Sequence, residues 1–295
     1  MKQIVVISGK GGTGKTSLVA SFASLAGMSV LADCDVDAAD LHLVVSPSPV
    51  SRHDFIGGKR AVIDGDRCID CASCSDLCRY DAIIGESEDR AVDPIACEGC
   101  GVCAWFCPER AIDLVDSLEG EWTVSETRFG PMVHARLNPA GENSGKLVSL
   151  LRAEARSIAE EQEIDTVLID GSPGIGCPVI ASITGADLVL VVTEPTLSGL
   201  HDLERVLGLT RHFGIPSAVV VNKYDINEEN SRRIEELATA LGAGTAGRIR
   251  FDPAVTMAQI EGVPLVEHSD NGAASDMNEV WRRVKWSLSA GRFVT

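Results

Sequence analysis

The chain has 295 residues, 45% of them apolar, and a formal net charge of −17. That length suits one large α/β domain, or one domain plus a small module, with ample apolar surface for a core. The acidity works against non-specific binding to a phosphate backbone, and no run approaches the roughly 18 apolar residues of a membrane-crossing helix. The first apolar run, residues 3–7, reads as a buried strand. It starts almost at the N-terminus, so no signal peptide is expected and the expected location is cytoplasmic. Ten cysteines in such a chain point to metal ligation before disulfides.

Residues 8–16 read SGKGGTGKT and are followed by a helical segment at 17–23. A Gly-rich turn between strand and helix lets backbone N–H groups converge on phosphate oxygens, and the helix N-terminus adds partial positive charge. Gly9 to Thr16 fit G-x-x-x-x-G-K-[ST]: Gly9, Gly11, Gly12, Thr13 and Gly14 form the cradle, and Ser17 continues the helix. Lys15 is expected to reach the β/γ phosphates and the Thr16 hydroxyl to ligate Mg²⁺. With Lys10 the stretch becomes K-G-G-x-G-K-[ST], which resembles the deviant P-loop of the MinD/ParA/Mrp ATPases and the nitrogenase iron protein. The resemblance implies that Lys10 reaches across a dimer interface to the partner's nucleotide. A second cation there stabilises charge developed in phosphoryl transfer. It also implies an ATP-dependent homodimer, or a heterodimer with a related ATPase.

A second buried strand at 29–32 delivers Asp33 and Asp35 at its C-terminal end, which faces the ligand in open α/β sheets. The segment, with Leu41-His42-Leu43 after it, resembles the family's switch I. The resemblance places the water-positioning aspartate on Asp35 and a Mg²⁺-side position on Asp33. Pro47, Pro49 and Gly57-Gly58 then read as a linker.

Two cysteine runs follow: Cys68, Cys71, Cys74 and Cys78, then Cys97, Cys100, Cys103 and Cys107 before Pro108. Both have the C-x₂-C-x₂-C-x₃-C spacing of bacterial ferredoxins. Zinc would typically use two C-x-x-C pairs per metal and has no need of the x₃ cysteine twice. Residues 59–117 resemble two-cluster ferredoxins, in which the fourth cysteine of each run ligates the other cluster. That resemblance assigns Cys68, Cys71, Cys74 and Cys107 to one [4Fe–4S] cluster, and Cys97, Cys100, Cys103 and Cys78 to a second. Arg79 stands where the family usually has proline. Segments 82–84 and 111–114 are expected to supply short hairpin strands.

Residues 120–137 read as a return hairpin, and Ser144 as a plausible N-cap of a helix carrying Leu147, Leu151, Ala155 and Ile158. Ser144-Gly145-Lys146 also recurs in related ATPases with inserted ferredoxins. The strand at 166–170 ends in Asp170 before Gly171-Ser172-Pro173-Gly174 and resembles switch II, whose aspartate holds Mg²⁺ through water. Cys177 lies seven residues further on, an offset used for a bridging cluster in the nitrogenase iron protein. That site's second cysteine and the C-terminal C-x-x-C of Mrp scaffolds have no counterpart here. A small buried thiol is the favoured role for Cys177, and for Cys34.

Strands at 187–193 and 218–223 follow, the second ending in Asn222, Lys223 and Asp225. N-K-x-D selects guanine in G proteins; in the resembled ATPases the asparagine contacts adenine, which favours ATP, with residues 248–253 closing the base pocket. Val280, Trp281, Val284 and Leu288 share one face of a final helix, which either targets a membrane or docks on the core; docking is favoured, since one short apolar face binds membranes weakly.

The expected fold is an α/β, doubly wound, mostly parallel P-loop NTPase at 1–56 and 119–295, with a small α+β ferredoxin-like domain inserted at 57–118. The expected cofactors are ATP, Mg²⁺ and two [4Fe–4S] clusters. Lys10, Lys15, Asp35 and Asp170 are the expected catalytic residues. Three functions fit: ATP-dependent electron transfer or metallocluster chemistry on a partner redox protein, cluster assembly of the Mrp kind, or MinD-like regulation with redox-sensing clusters. A nucleic-acid partner and a membrane are not expected.

Overall fold

The computed structural model describes residues 1–138, 141 and 143–290. Its strands are β1 (Lys2–Ser8), β2 (Val30–Asp33), β3 (Ser48–Ile63), β4 (Ile83–Ile84), β5 (Ala91–Val92), β6 (Ile112–Thr127), β7 (Gly130–Leu137), β8 (Thr166–Pro173), β9 (Leu188–Thr193), β10 (Ser217–Asn222) and β11 (Gly244–Ile249). The chain divides into two compact units. One comprises Met1–His53, Trp122–Arg136 and Ser144–Thr295; the other comprises Asp54–Glu121 and Leu137–Asn143.

The first unit is built on a mostly parallel sheet in the order β11-β10-β9-β1-β8-β2-β7, continued by β6 and β3. β1 pairs in parallel with β8 and β9, β10 with β9 and β11, and β2 with β8 and β7. Ile4 and Val6 belong to a core cluster with Phe22 and Trp281, while Val5 and Ile7, on the opposite face of β1, are equally buried. A strand buried on both faces reads as an unbroken apolar run, which is why these strands were legible without alternation. Register matters for the site: Asp33 of β2 stands beside Asp170 of β8.

The face shared by Val280, Trp281 and Val284 in the Ala273–Ala290 helix is buried in the core. Trp281 lies with its ring centroid 4.8 Å from that of Phe22, and its indole N–H donates to the Leu25 carbonyl at 3.2 Å. This helix is docked, and its apolar face is occupied. No helix among the described residues is long and apolar enough to cross a membrane.

Three local expectations need correction. The stretch from Pro47 to Gly58 lies largely in β3, not in a linker. Phe55, Gly57 and Ala61 are buried at alternate positions, and β3 ends the sheet order, where prolines are tolerated. Segments 82–84 and 111–114 do not form equivalent strands: Ile83–Ile84 pair antiparallel with Ala91–Val92, whereas Ile112 opens the long β6. Ser144 is the first helical residue of Ser144–Glu161, one position inside the expected cap.

In the second unit the two cysteine runs fold alike. The helices Ser73–Leu77 and Val102–Phe106 each begin inside a run. Asp70 and Ala72 in the first run have φ of 54° and 61°, and Gly99 and Gly101, at the same places in the second, have 61° and 76°. Gly99 is required on a second ground, because a Cβ there would lie 1.9 Å from the Lys59 carbonyl oxygen.

Candidate functional site

β1 ends at Ser8 and the helix Lys15–Ala26 begins six residues into the loop that follows. Gly12 and Gly14 take φ of 76° and 93°, turning the loop back onto the helix N-terminus. A Cβ on Gly14 would come 2.5 Å from Asn222 Nδ2. That amide donates to the Thr13 carbonyl at 2.7 Å, so the end of β10 is tied directly to the loop. The Ser17 hydroxyl is buried and accepts from Gln259 Nε2 at 3.0 Å, which gives it a packing role.

Lys15 is 5% exposed, with Nζ 3.6 Å from Asp35 Oδ2. Asp33, Asp35 and Asp170 are all buried around this lysine's end of the sheet. Asp33 is held in place by backbone N–H donors from Asp35 and Leu41, each at 3.2 Å, so it shapes the switch I segment from within. Burial above all pushes the Asp33 carboxyl well above its ordinary range, with Asp170 adding to the rise. Burial also raises Asp35, against the pull of Lys15.

Neither carboxylate oxygen of Asp170 has a hydrogen-bond partner. Burial pushes its pKa up to about 7; Lys15 and the Thr16 hydroxyl oppose the rise, though the hydroxyl is not placed for a hydrogen bond. An orphaned buried carboxylate beside a P-loop threonine is the donor chemistry that suits a hard divalent cation such as Mg²⁺. The segments on either side are laced together. Cys34 N–H donates to the Asp170 carbonyl at 2.8 Å, and the Ser172 hydroxyl donates to the Cys34 carbonyl at 2.7 Å. Cys34 is fully buried, and burial pushes its thiol far up, as suits an inert packing group. Cys177, at the start of the helix Cys177–Ile183, is exposed, unlike the buried thiol expected there.

Lys10 does not reach outward here. Its Nζ lies 3.2 Å from Glu194 Oε2 and 3.4 Å from Ser198 Oγ. Lys223 donates to the other Glu194 oxygen. Glu194, at the C-terminal end of β9, was not singled out from the sequence; a carboxylate just past a strand that points at the site was the available signal. Asp225 accepts from Phe251 N–H at 2.7 Å, which anchors the 248–253 segment beside the Asn222–Lys223 loop.

The eight spaced cysteines lie in the second unit and sort into two cavities. Cys68, Cys71, Cys74 and Cys107 line one. Cys78, Cys97, Cys100 and Cys103 line the other. Each cavity thus takes three cysteines of one run and the last of the other. Ile63, Ala111 and Ile112 wall the first, and Ala61, Ala82 and Ile83 the second. Backbone N–H groups reach both crossing thiols: Ala82 donates to Cys78 Sγ at 3.4 Å and Ala111 to Cys107 Sγ at 3.2 Å. Among the described residues, no three His, Cys, Asp or Glu side chains converge on a point where they could hold a single metal ion. Four thiols spread around an apolar cavity, with N–H donors to sulfur, fit a polynuclear iron–sulfur group, whose irons each take a separate thiolate.

A family model described as the CobQ/CobB/MinD/ParA nucleotide binding domain matches residues 4–265. An uncharacterized protein of Methanocaldococcus jannaschii is 34% identical over 231 residues, covering 77% of this chain and 80% of that one. Pyruvate synthase subunit PorD of Methanothermobacter marburgensis is 42% identical over 52 residues, 18% of this chain and 60% of that one. The septum site-determining protein MinD of Pyrococcus horikoshii, solved with Mg-ADP, has a similar fold: the TM-score is 0.57 at 16% identity, with 99% of each chain covered. The family match spans the P-loop, both aspartate segments and the Asn222 strand, and the chain belongs to the CobQ/CobB/MinD/ParA family of nucleotide-binding proteins.

Proposed function

We propose that the chain is a Mg²⁺-dependent ATPase that couples its nucleotide state to electron transfer or metallocluster chemistry on a partner protein. The observation that carries this reading is the sorting of eight cysteines into two four-cysteine cavities on a segment that the chain enters soon after Asp33 and Asp35.

At the nucleotide site the backbone N–H groups of the Gly9–Gly14 turn cradle phosphate, and Lys15 supplies charge to the β/γ oxygens. Thr16 and Asp170 would hold Mg²⁺, which the unpartnered Asp170 carboxylate favours. Asp35, drawn toward Lys15, orients the attacking water once phosphate competes for that lysine. Lys10 serves a second copy of the chain, or a related ATPase. Asn222 keeps one amide hydrogen beyond its bond to Thr13 for the adenine ring.

In the second unit Cys68, Cys71, Cys74 and Cys107 would hold one [4Fe–4S] cluster, and Cys97, Cys100, Cys103 and Cys78 the other. Such clusters, when bound, supply one-electron redox chemistry. Asp33 ties the start of switch I to the Leu41 N–H, eight positions further along the chain. A change in this segment on γ-phosphate binding would pass along the chain into β3 and on toward Cys68.

The test is anaerobic purification with iron and sulfide analysis beside an ATPase assay. About four irons per cavity are expected, and Cys107→Ser should lose about half of the total. A chain that takes up zinc alone, or no iron after reconstitution, would remove the iron–sulfur half. Lys15→Ala should abolish turnover, and undiminished turnover would remove the ATPase half.

A further inference from the structure

One carboxylate in the first unit joins two lysines from different loops, Lys10 before the Lys15–Ala26 helix and Lys223 after β10. Glu194 is 14% exposed at its side chain and lies 3.2 Å from Lys10 Nζ through Oε2, while Oε1 accepts from Lys223 Nζ. Partial burial opposes its ionisation, yet the hydrogen bonds from Lys223 and Lys10 hold its carboxyl below the usual range. The chain makes room for this arrangement. A Cβ on Gly199 would lie 2.2 Å from the Glu194 carbonyl oxygen, so only glycine lets the Leu197–His212 helix start so close. Ser198, from the same helix start, gives Lys10 a second acceptor at 3.4 Å.

Lys10 belongs to the phosphate loop, and Lys223 follows Asn222 with a left-handed φ of 55°. A lysine in that conformation is strained, and its ion pair with Glu194 is a contact able to hold it there. We propose that Glu194 is a positioning residue that holds both Lys10 and Lys223 within their own chain, one lysine on each carboxylate oxygen. The proposal rests on the nucleotide-site reading of this loop. For Lys10 to act on another copy's nucleotide, its contact with Glu194 must open, and opening leaves Lys223 as the sole cation on that carboxylate.

The experiment is lysine acylation of the full chain, read by mass spectrometry at each lysine, on wild type and Glu194→Gln. The amide keeps the shape and removes the charge. Reactivity of Lys10 and Lys223 should rise together by about threefold, the scale of a partly exposed ion pair. Lys2 and Lys59, which pair with Asp187 and Asp116, should not change. Unchanged reactivity at either Lys10 or Lys223 overturns the proposal. Lys223→Met supplies an independent check, since Glu194 is then left to Lys10 alone: Lys10 reactivity should fall, and an unchanged value overturns the proposal. MgADP binding to the wild-type chain is measured alongside. Absence of binding would sink the nucleotide reading, whereas binding with unchanged lysine reactivity in Glu194→Gln would sink the Glu194 proposal alone.

Discussion

Lys15, Asp33, Asp35 and Asp170 meet because adjacent parallel strands deliver their C-terminal ends side by side, with Asp33 in register with Asp170. The cost falls on Asp170, a buried carboxylate with neither oxygen satisfied. Asp170→Asn should therefore raise the melting temperature measured in chelator, while Mg²⁺-dependent turnover falls by at least about a hundredfold, the scale of a lost metal-holding group. A lower melting temperature in chelator would mean that the carboxylate is stabilised by something other than a bound cation. Gly14 has a different constraint. Alanine there meets both a φ of 93° and Asn222 Nδ2 at 2.5 Å. Gly14→Ala should weaken MgATP binding by about tenfold or more with the circular dichroism spectrum unchanged, given the 1–3 kcal/mol such strain involves; equilibrium binding with a fluorescent nucleotide checks it. The motif residues were legible because phosphate binding demands fixed residue types at fixed spacing. Gln259 was not, since it acts through Ser17, 242 residues away, and nothing local marks it; Glu194 had only its place just past a strand end to mark it, and its contact with Lys10 spans 184 residues.

At the scale of elements, the core strands could be read from their apolar runs, because burial on both faces leaves no polar alternation to interpret. β3 could not: Pro49 and its paired glycines are turn signals in isolation, and only its place at the end of the sheet makes them compatible with a strand. The Ala273–Ala290 helix shows the reverse problem. Its periodic apolar face was plain in the sequence, but the pattern does not say whether lipid or protein covers it. Phe22 and the Leu25 carbonyl supply the cover for Trp281. Trp281→Ala should cost about 3 kcal/mol or more in unfolding free energy, as large core truncations do. Urea titration followed by circular dichroism measures it, and a loss under about 1 kcal/mol would contradict the packing described.

For the whole molecule, the cysteines line the two cavities in the groups that the resemblance to two-cluster ferredoxins implies, a grouping the spacing within either run does not supply by itself. What spacing could not supply is the link between that unit and the nucleotide site. That link is one of connectivity: the chain leaves the first unit at His53, soon after Asp33 and Asp35, and re-enters it at Trp122. If switch I order follows the γ-phosphate, its effect has a direct covalent route to the cysteine unit.

The most direct measurement is an anaerobic redox titration followed by EPR, with MgATP, with MgADP and with Lys15→Ala as the control. The account predicts a shift of about 60 mV or more in a one-electron midpoint on adding MgATP, equivalent to about 1.4 kcal/mol of coupling. The shift should be smaller with MgADP and absent in Lys15→Ala. Potentials and line shapes that stay the same in all three, in a chain that binds MgATP and carries both iron–sulfur groups, would contradict coupling between nucleotide state and the cysteine unit.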